Sequence, residues 1–230
     1  PPVHQQLATR NSMQVLPHEH LAMLVQPDRV HRSVYVDPTI FEMEMDRLFG
    51  RAWLLLGHTS QLSSPGDYFT TRMGREPVLA TRDADGSVRV FVNRCTHRGS
   101  LLCHQSKGSA KSFSCPYHGW TFGTDGALQW VPTRSGYEPH ADTKLGEYGL
   151  RPVARVEQYR GFIFASLATQ GPTLSEFLGY MKSSFDDLVD RGACFEIVEN
   201  DGHWHACILE NPSSAHLARN TLHGGALRPI

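Results

Sequence analysis

The chain has 230 residues, of which 40% are hydrophobic and 20% charged, and its formal net charge is −1 at pH 7. This length allows one large or two modest domains of ordinary globular composition. A charge so close to zero predicts no strong attraction to nucleic acid or to an anionic membrane. The sequence contains no run of about 18 apolar residues, so it predicts no membrane span.

The first part of the chain is polar and holds few helical signals. We expect residues 1–36 to form an N-terminal arm with one short amphipathic helix confined between two prolines. Asp37 and Pro38 predict the start of a longer helix, because an acidic N-cap precedes a proline in the first turn. Apolar residues then follow at near-helical spacing. The aromatic residues expected in the core from this face are Phe41, Phe49 and Trp53.

Short β-rich runs bounded by turns begin near residue 57, and they occupy residues 68–71, 77–81, 88–92, 113–114 and 127–131. Residues 132–150 lack periodicity and predict a loop. Residues 153–159 and 161–167 predict a closing hairpin. Closely spaced strands with glycine turns indicate a small antiparallel β-domain, which we place with its preceding helix at residues 37–167.

Beyond residue 167 the pattern becomes helical again. Thr173 and Glu176 form a capping box, which predicts a helix that ends near Gly192. A strand is expected from residue 195. Residues 168–230 are therefore predicted to begin a second domain that the chain contains only in part. The residues expected to face inward from the helix are Leu174, Phe177, Leu178, Met181, Phe185 and Leu188.

Two short segments each carry one cysteine and one histidine. We call residues 95–99 (CTHRG) the first Cys–His loop and residues 115–120 (CPYHGW) the second Cys–His loop. Two thiolates and two imidazoles can hold a [2Fe-2S] cluster, with the cysteines on one iron and the histidines on the other. The alternatives are a chance occurrence and a structural zinc site. Zinc sites usually pair like ligands along the chain, whereas each loop here mixes them, which favours the cluster.

The remaining cysteines show no disulfide framework. They are Cys103, Cys194 and Cys207, an odd number without regular spacing. Free thiols together with a thiolate-bound cluster indicate a reducing, cytoplasmic location.

The two Cys–His loops resemble the Rieske domain of ring-hydroxylating oxygenase α subunits. The resemblance extends to residues 53–58, 91–94 and 121–128, and it covers residues 35–167 strongly and 200–223 weakly. It implies an α+β fold, with an antiparallel β Rieske domain followed by an α+β catalytic domain that contains an antiparallel sheet. The cluster ligands that the resemblance implies are Cys95, His97, Cys115 and His118.

The resemblance also implies a function. A terminal oxygenase of this family takes electrons from a ferredoxin or reductase through the [2Fe-2S] cluster. It passes them to a mononuclear Fe(II), which activates O₂ and hydroxylates an aromatic substrate, so a dioxygenase is expected in preference to a monooxygenase or demethylase. A homotrimer or a hexamer of three α and three β subunits is implied. A Rieske electron-transfer protein without the oxygenase iron is the alternative.

The mononuclear iron site departs from the family pattern. In the family an acidic residue follows an asparagine, and two histidines four positions apart bind the iron. Here Pro212 follows Asn211, and six residues separate His216 from His223. On a helix, two residues seven positions apart share a face at about 10.5 Å along the axis. His216 and His223 are nevertheless the candidate iron ligands, while the third, carboxylate ligand has no candidate.

Overall fold

The computed structural model describes residues 16–137, 145–192, 194–200 and 203–209. The chain divides into two compact units between Ala52 and Trp53. No helix among these residues combines the length and apolar character that crossing a membrane requires. The domain limits at residues 36 and 167 stay predictions.

The unit that ends at Ala52 is mainly helical. Its elements are α1 (His18–Leu24), β1 (Val25–Gln26), β2 (Arg29–Val30), α2 (Ser33–Val36), α3 (Pro38–Glu44) and a π-helical turn (Met45–Phe49). Asp37 begins α3 as predicted, because its Oδ1 accepts a hydrogen bond from the backbone N–H of Thr39 at 2.7 Å. Ile40 and Met43, three positions apart, form the buried face of α3.

Of the three aromatic residues expected in the core, Trp53 is buried as predicted, Phe49 is half-buried, and the expectation for Phe41 is wrong. Phe41 is exposed, because it lies about 100° around the helix from Ile40 and so leaves the buried face. Trp53 is buried, but it lies beyond the helix, directly before the next strand. The π-helical turn changes the helical phase before residue 50, so the spacing that seemed to include Trp53 does not continue.

The unit that begins at Trp53 contains the predicted β-domain. Its first strands are β3 (Leu54–His58), β4 (Asp67–Met73), β5 (Glu76–Arg82), β6 (Val88–Val92), β7 (Lys107–Ser109), β8 (Ser112–Ser114), β9 (Thr121–Gly123), β10 (Leu128–Trp130), β11 (Arg155–Tyr159) and β12 (Phe162–Ser166). They form three sheets with the orders β6-β5-β4-β7, β10-β9-β8 and β11-β12-β3. All pairs are antiparallel, which confirms the predicted fold class.

The predicted loop between β10 and β11 holds two 3₁₀ turns, Arg134–Tyr137 and Leu145–Tyr148. The predicted hairpin is confirmed as β11 and β12, whose register runs from Arg155 opposite Ser166 to Tyr159 opposite Phe162. β3 then pairs with the other edge of β12, which brings together residues about a hundred positions apart.

The segment after β12 contains α4 (Leu174–Leu178), α5 (Met181–Val189), β13 (Cys194–Asn200) and β14 (His203–Leu209). The capping box is confirmed, with the Glu176 carboxylate accepting from the Thr173 N–H at 2.8 Å. The single inward helical face is wrong. Gly179 adopts φ +48° and separates α4 from α5, so the phase breaks and Phe177 and Met181 are exposed.

Candidate metal centre

Both Cys–His loops close with the same pair of backbone hydrogen bonds. In the first loop the N–H of Gly99 donates to the carbonyl of Cys95, and the N–H of Cys95 donates to the carbonyl of Ser100, each at 2.8 Å. The second loop repeats this pattern from Gly119 to Cys115 at 2.9 Å and from Cys115 to Trp120 at 2.8 Å. The loops are therefore two copies of one turn.

The glycine in each turn follows from its backbone conformation. Gly99 has φ +72° and Gly119 has φ +71°, in the left-handed region where a side chain is strained. A glycine four positions after each cysteine thus allows the chain to reverse around the cysteine. This local chemistry explains why the sequence repeats glycine at these two positions.

The two cysteines lie together at the base of the loops. Cys95 and Cys115 are both buried in the same apolar cluster, and their side chains are in contact. Burial raises the pKa of the Cys95 thiol, against the opposing hydrogen bond from the His97 N–H, and the Cys115 thiol raises this pKa further. Buried thiols become thiolates when a metal ion displaces their protons, so this pair fits a metal.

The two histidines also lie together. The ring centroids of His97 and His118 are 4.7 Å apart, with an angle of 65° between the rings. Burial lowers the pKa of His97, and the charges of His118 and Arg98 lower it further, which favours the neutral imidazole that binds metals.

One ring nitrogen of this pair lacks a partner. Nδ1 of His97 is buried and has no hydrogen-bond partner in the described part of the chain. An unpaired buried polar atom costs about 1–3 kcal/mol, so such an atom needs an explanation, and coordination to a metal ion would supply one. The side chains present therefore fit a bound metal group.

The pairing of like side chains matters for the kind of metal group. The thiols pair with each other and the imidazoles pair with each other, although each loop supplies one of each. No three His, Cys, Asp or Glu side chains within the described ranges are grouped as a single metal ion would need. A Rieske cluster requires two protein ligands on each of two irons. The other predicted ligands, His216 and His223, lie outside the described residues.

One supporting residue, Asn93, received no role from the sequence. Asn93 has only 2% of its surface exposed, and its side chain bridges to Cys103 through two backbone hydrogen bonds. Its Nδ2 donates to the Cys103 carbonyl at 2.7 Å, and its Oδ1 accepts from the Cys103 N–H at 2.9 Å. The bridge ties the start of the first Cys–His loop to the chain that leaves it. The sequence did hold one signal for this role, because Asn93 is a polar residue directly after the apolar strand β6.

Comparison with known proteins supports this picture. Residues 52–156 match the Rieske [2Fe-2S] domain family. The chain is 44% identical over 164 residues to a chlorobenzene dioxygenase α subunit from Cupriavidus sp. (strain PS12), covering 71% of this chain and 36% of the relative. It is 36% identical over 217 residues to a toluate 1,2-dioxygenase α subunit from Pseudomonas putida, covering 87% of this chain and 47% of the relative. The chain thus spans less than half the length of these relatives.

Solved structures show the same similarity. The naphthalene 1,2-dioxygenase from Rhodococcus sp. bound to indole matches with a TM-score of 0.69 and 34% identity, over 74% of this chain and 39% of that one. A quaternary ammonium Rieske monooxygenase matches with a TM-score of 0.64 and 27% identity, over 73% of this chain and 46% of that one.

Proposed function

The chain carries a Rieske [2Fe-2S] domain and is a homologue of aromatic ring dioxygenase α subunits, and on this premise we propose that the protein is the terminal component of a ring-hydroxylating oxygenase. Cys95 and Cys115 would hold one iron of the cluster, and His97 and His118 the other. When bound, the cluster supplies electrons one at a time to a mononuclear Fe(II) that activates O₂.

The observation that carries this proposal is the pairing at the two Cys–His loops. Two buried thiols are in contact, and so are two imidazoles from the same two loops. The unpaired Nδ1 of His97 is one atom that an iron would satisfy. The protein's own contribution is to bury the thiols and hold both pairs in place before the cluster binds.

The rest of the proposed activity draws on the relatives. Their names specify chlorobenzene, biphenyl, benzene and toluate, so we propose an aromatic substrate and a dioxygenase reaction. We propose a ferredoxin or reductase as the electron donor and a homotrimer, or a hexamer with β subunits, as the assembly. The free thiols of the described residues favour a reducing, cytoplasmic location. His216 and His223 stay the proposed ligands of the mononuclear iron.

The test is the metal content of the anaerobically purified full-length protein, with its electron paramagnetic resonance (EPR) spectrum after reduction. Three irons per chain with a Rieske signal, and O₂-dependent hydroxylation of benzene or biphenyl with a reductase, are expected. His216→Ala and His223→Ala should each remove one iron and leave the Rieske signal unchanged. Two irons with the same signal would indicate an electron-transfer protein. Zinc and a colourless protein would overturn the proposal.

A further inference from the structure

The ring of Trp120 lies flat against the ring of His97. The two rings are nearly parallel, with 5° between their planes and 4.8 Å between their centroids. Trp120 is 3% exposed, whereas Trp130, ten positions later, is 57% exposed. The indole therefore covers one face of His97, while the His118 ring approaches His97 at a steep angle.

A third segment holds this stack in place. The ring of Tyr148 meets the ring of Trp120 edge to face, with 5.8 Å between centroids and 86° between planes. The backbone carbonyl of the same Tyr148 accepts a hydrogen bond from the Thr96 hydroxyl at 2.6 Å. Thr96 lies between Cys95 and His97 in the first Cys–His loop. Tyr148 thus contacts the first loop through its backbone and the second loop through its ring.

We propose that Trp120 is a positioning residue for the histidine side of the cluster, and that Tyr148 keeps it in place. This inference rests on the proposed [2Fe-2S] cluster. The flat contact limits rotation of the His97 ring about its Cβ–Cγ bond, so Nδ1 keeps one direction. Tyr148 contacts Trp120 and Trp120 contacts His97, which would in turn hold the iron.

The indole also sets the polarity beside the cluster. A [2Fe-2S] cluster with two thiolates and two neutral imidazoles is uncharged when oxidised and gains one negative charge on one-electron reduction. A dry, apolar neighbour disfavours the charged, reduced state and so lowers the reduction potential. A smaller side chain at position 120 admits water to the face of His97 and raises the potential.

The experiment compares the full-length, anaerobically purified protein with Trp120→Ala, Trp120→Phe and Tyr148→Ala variants. Trp130→Ala is the matched control, because it removes an exposed tryptophan from the same region. The measurements are iron and sulfide content, the EPR g values of the reduced cluster and its midpoint potential. Trp120→Ala should alter the g values and raise the potential by the equivalent of about tenfold in the one-electron equilibrium, which is about 59 mV.

The other variants make the inference refutable. Trp120→Phe keeps an aromatic face and should stay close to the wild-type values. Tyr148→Ala should give a smaller shift than Trp120→Ala in the same direction, and Trp130→Ala should give none. Unchanged g values and potential in Trp120→Ala would overturn the inference. If Trp120→Ala loses its iron, Tyr148→Ala decides: g values and a midpoint potential equal to wild type in that variant would overturn the inference. A wild-type protein without a Rieske signal would instead refute the proposed function.

Discussion

The side-chain bridge from Asn93 to Cys103 should be a main support of the first Cys–His loop. The Asn93→Ala variant removes both of its hydrogen bonds and leaves the N–H and carbonyl of Cys103 without these partners. Leaving a buried polar group unpaired costs about 1–3 kcal/mol, so the loss of both bonds should destabilise the protein by roughly 2–4 kcal/mol. We therefore expect Asn93→Ala to be among the most destabilising single substitutions near the loops.

The assay is thermal unfolding of the anaerobic, cluster-containing protein at one fixed scan rate. For a chain of this size, 1 kcal/mol corresponds to about 2–4 °C, so Asn93→Ala should lower the Tm by roughly 5–15 °C. The rate of iron release at a fixed temperature should rise in parallel, because the end of the first loop is no longer held. Gln129→Ala, at an exposed amide, is the control and should change stability by less than about 0.5 kcal/mol. A Tm for Asn93→Ala equal to that of the control would refute the reasoning.

Three further predictions concern a buried histidine, the glycines of the two Cys–His loops and a carboxylate paired with an arginine. Burial lowers the pKa of His58 below its unfolded value of 6.5, so its neutral form stabilises the fold above that pH and this contribution disappears as the pH falls. His58→Gln should flatten the decline of Tm between about pH 7 and pH 5, and an unchanged slope would contradict this. Gly99→Ala should lower the free energy of unfolding by about 1–2 kcal/mol, because alanine is strained in the left-handed conformation and meets no other atom there. Gly119→Ala should destabilise the protein more than Gly99→Ala, because its new Cβ would also lie 3.2 Å from a proline side chain. The rate of iron release should therefore be higher for Gly119→Ala, and equal rates in the two variants would argue against the difference. Asp83 accepts a hydrogen bond from a threonine at 2.7 Å and pairs with Arg89 at 2.9 Å, so Asp83→Asn should lower the unfolding free energy by about 1–2 kcal/mol in denaturant titration, and wild-type stability would refute this.

The amino-acid sequence by itself determined the features that depend on close neighbours along the chain. The helix start at Asp37, the capping box at Thr173 and the glycine in each Cys–His loop all depend on hydrogen bonds and backbone angles within about five residues. The set of cluster ligands, still a prediction, was likewise readable because each loop keeps its cysteine and histidine two or three positions apart. The break at Gly179 was also a local signal, which the helical spacing obscured.

Only the tertiary structure decided which distant residues meet. The pairing of β3 with β12, the bridge from Asn93 to Cys103 and the contacts of Tyr148 with both loops join parts of the chain that periodicity cannot relate. The same is true of the stack of Trp120 on His97, because the two rings belong to different loops. The sequence shows which residue types are present and how they are spaced along the chain. Packing between sheets decides which of them are buried together, and burial shifts the pKa of Cys95 upward and that of His97 downward.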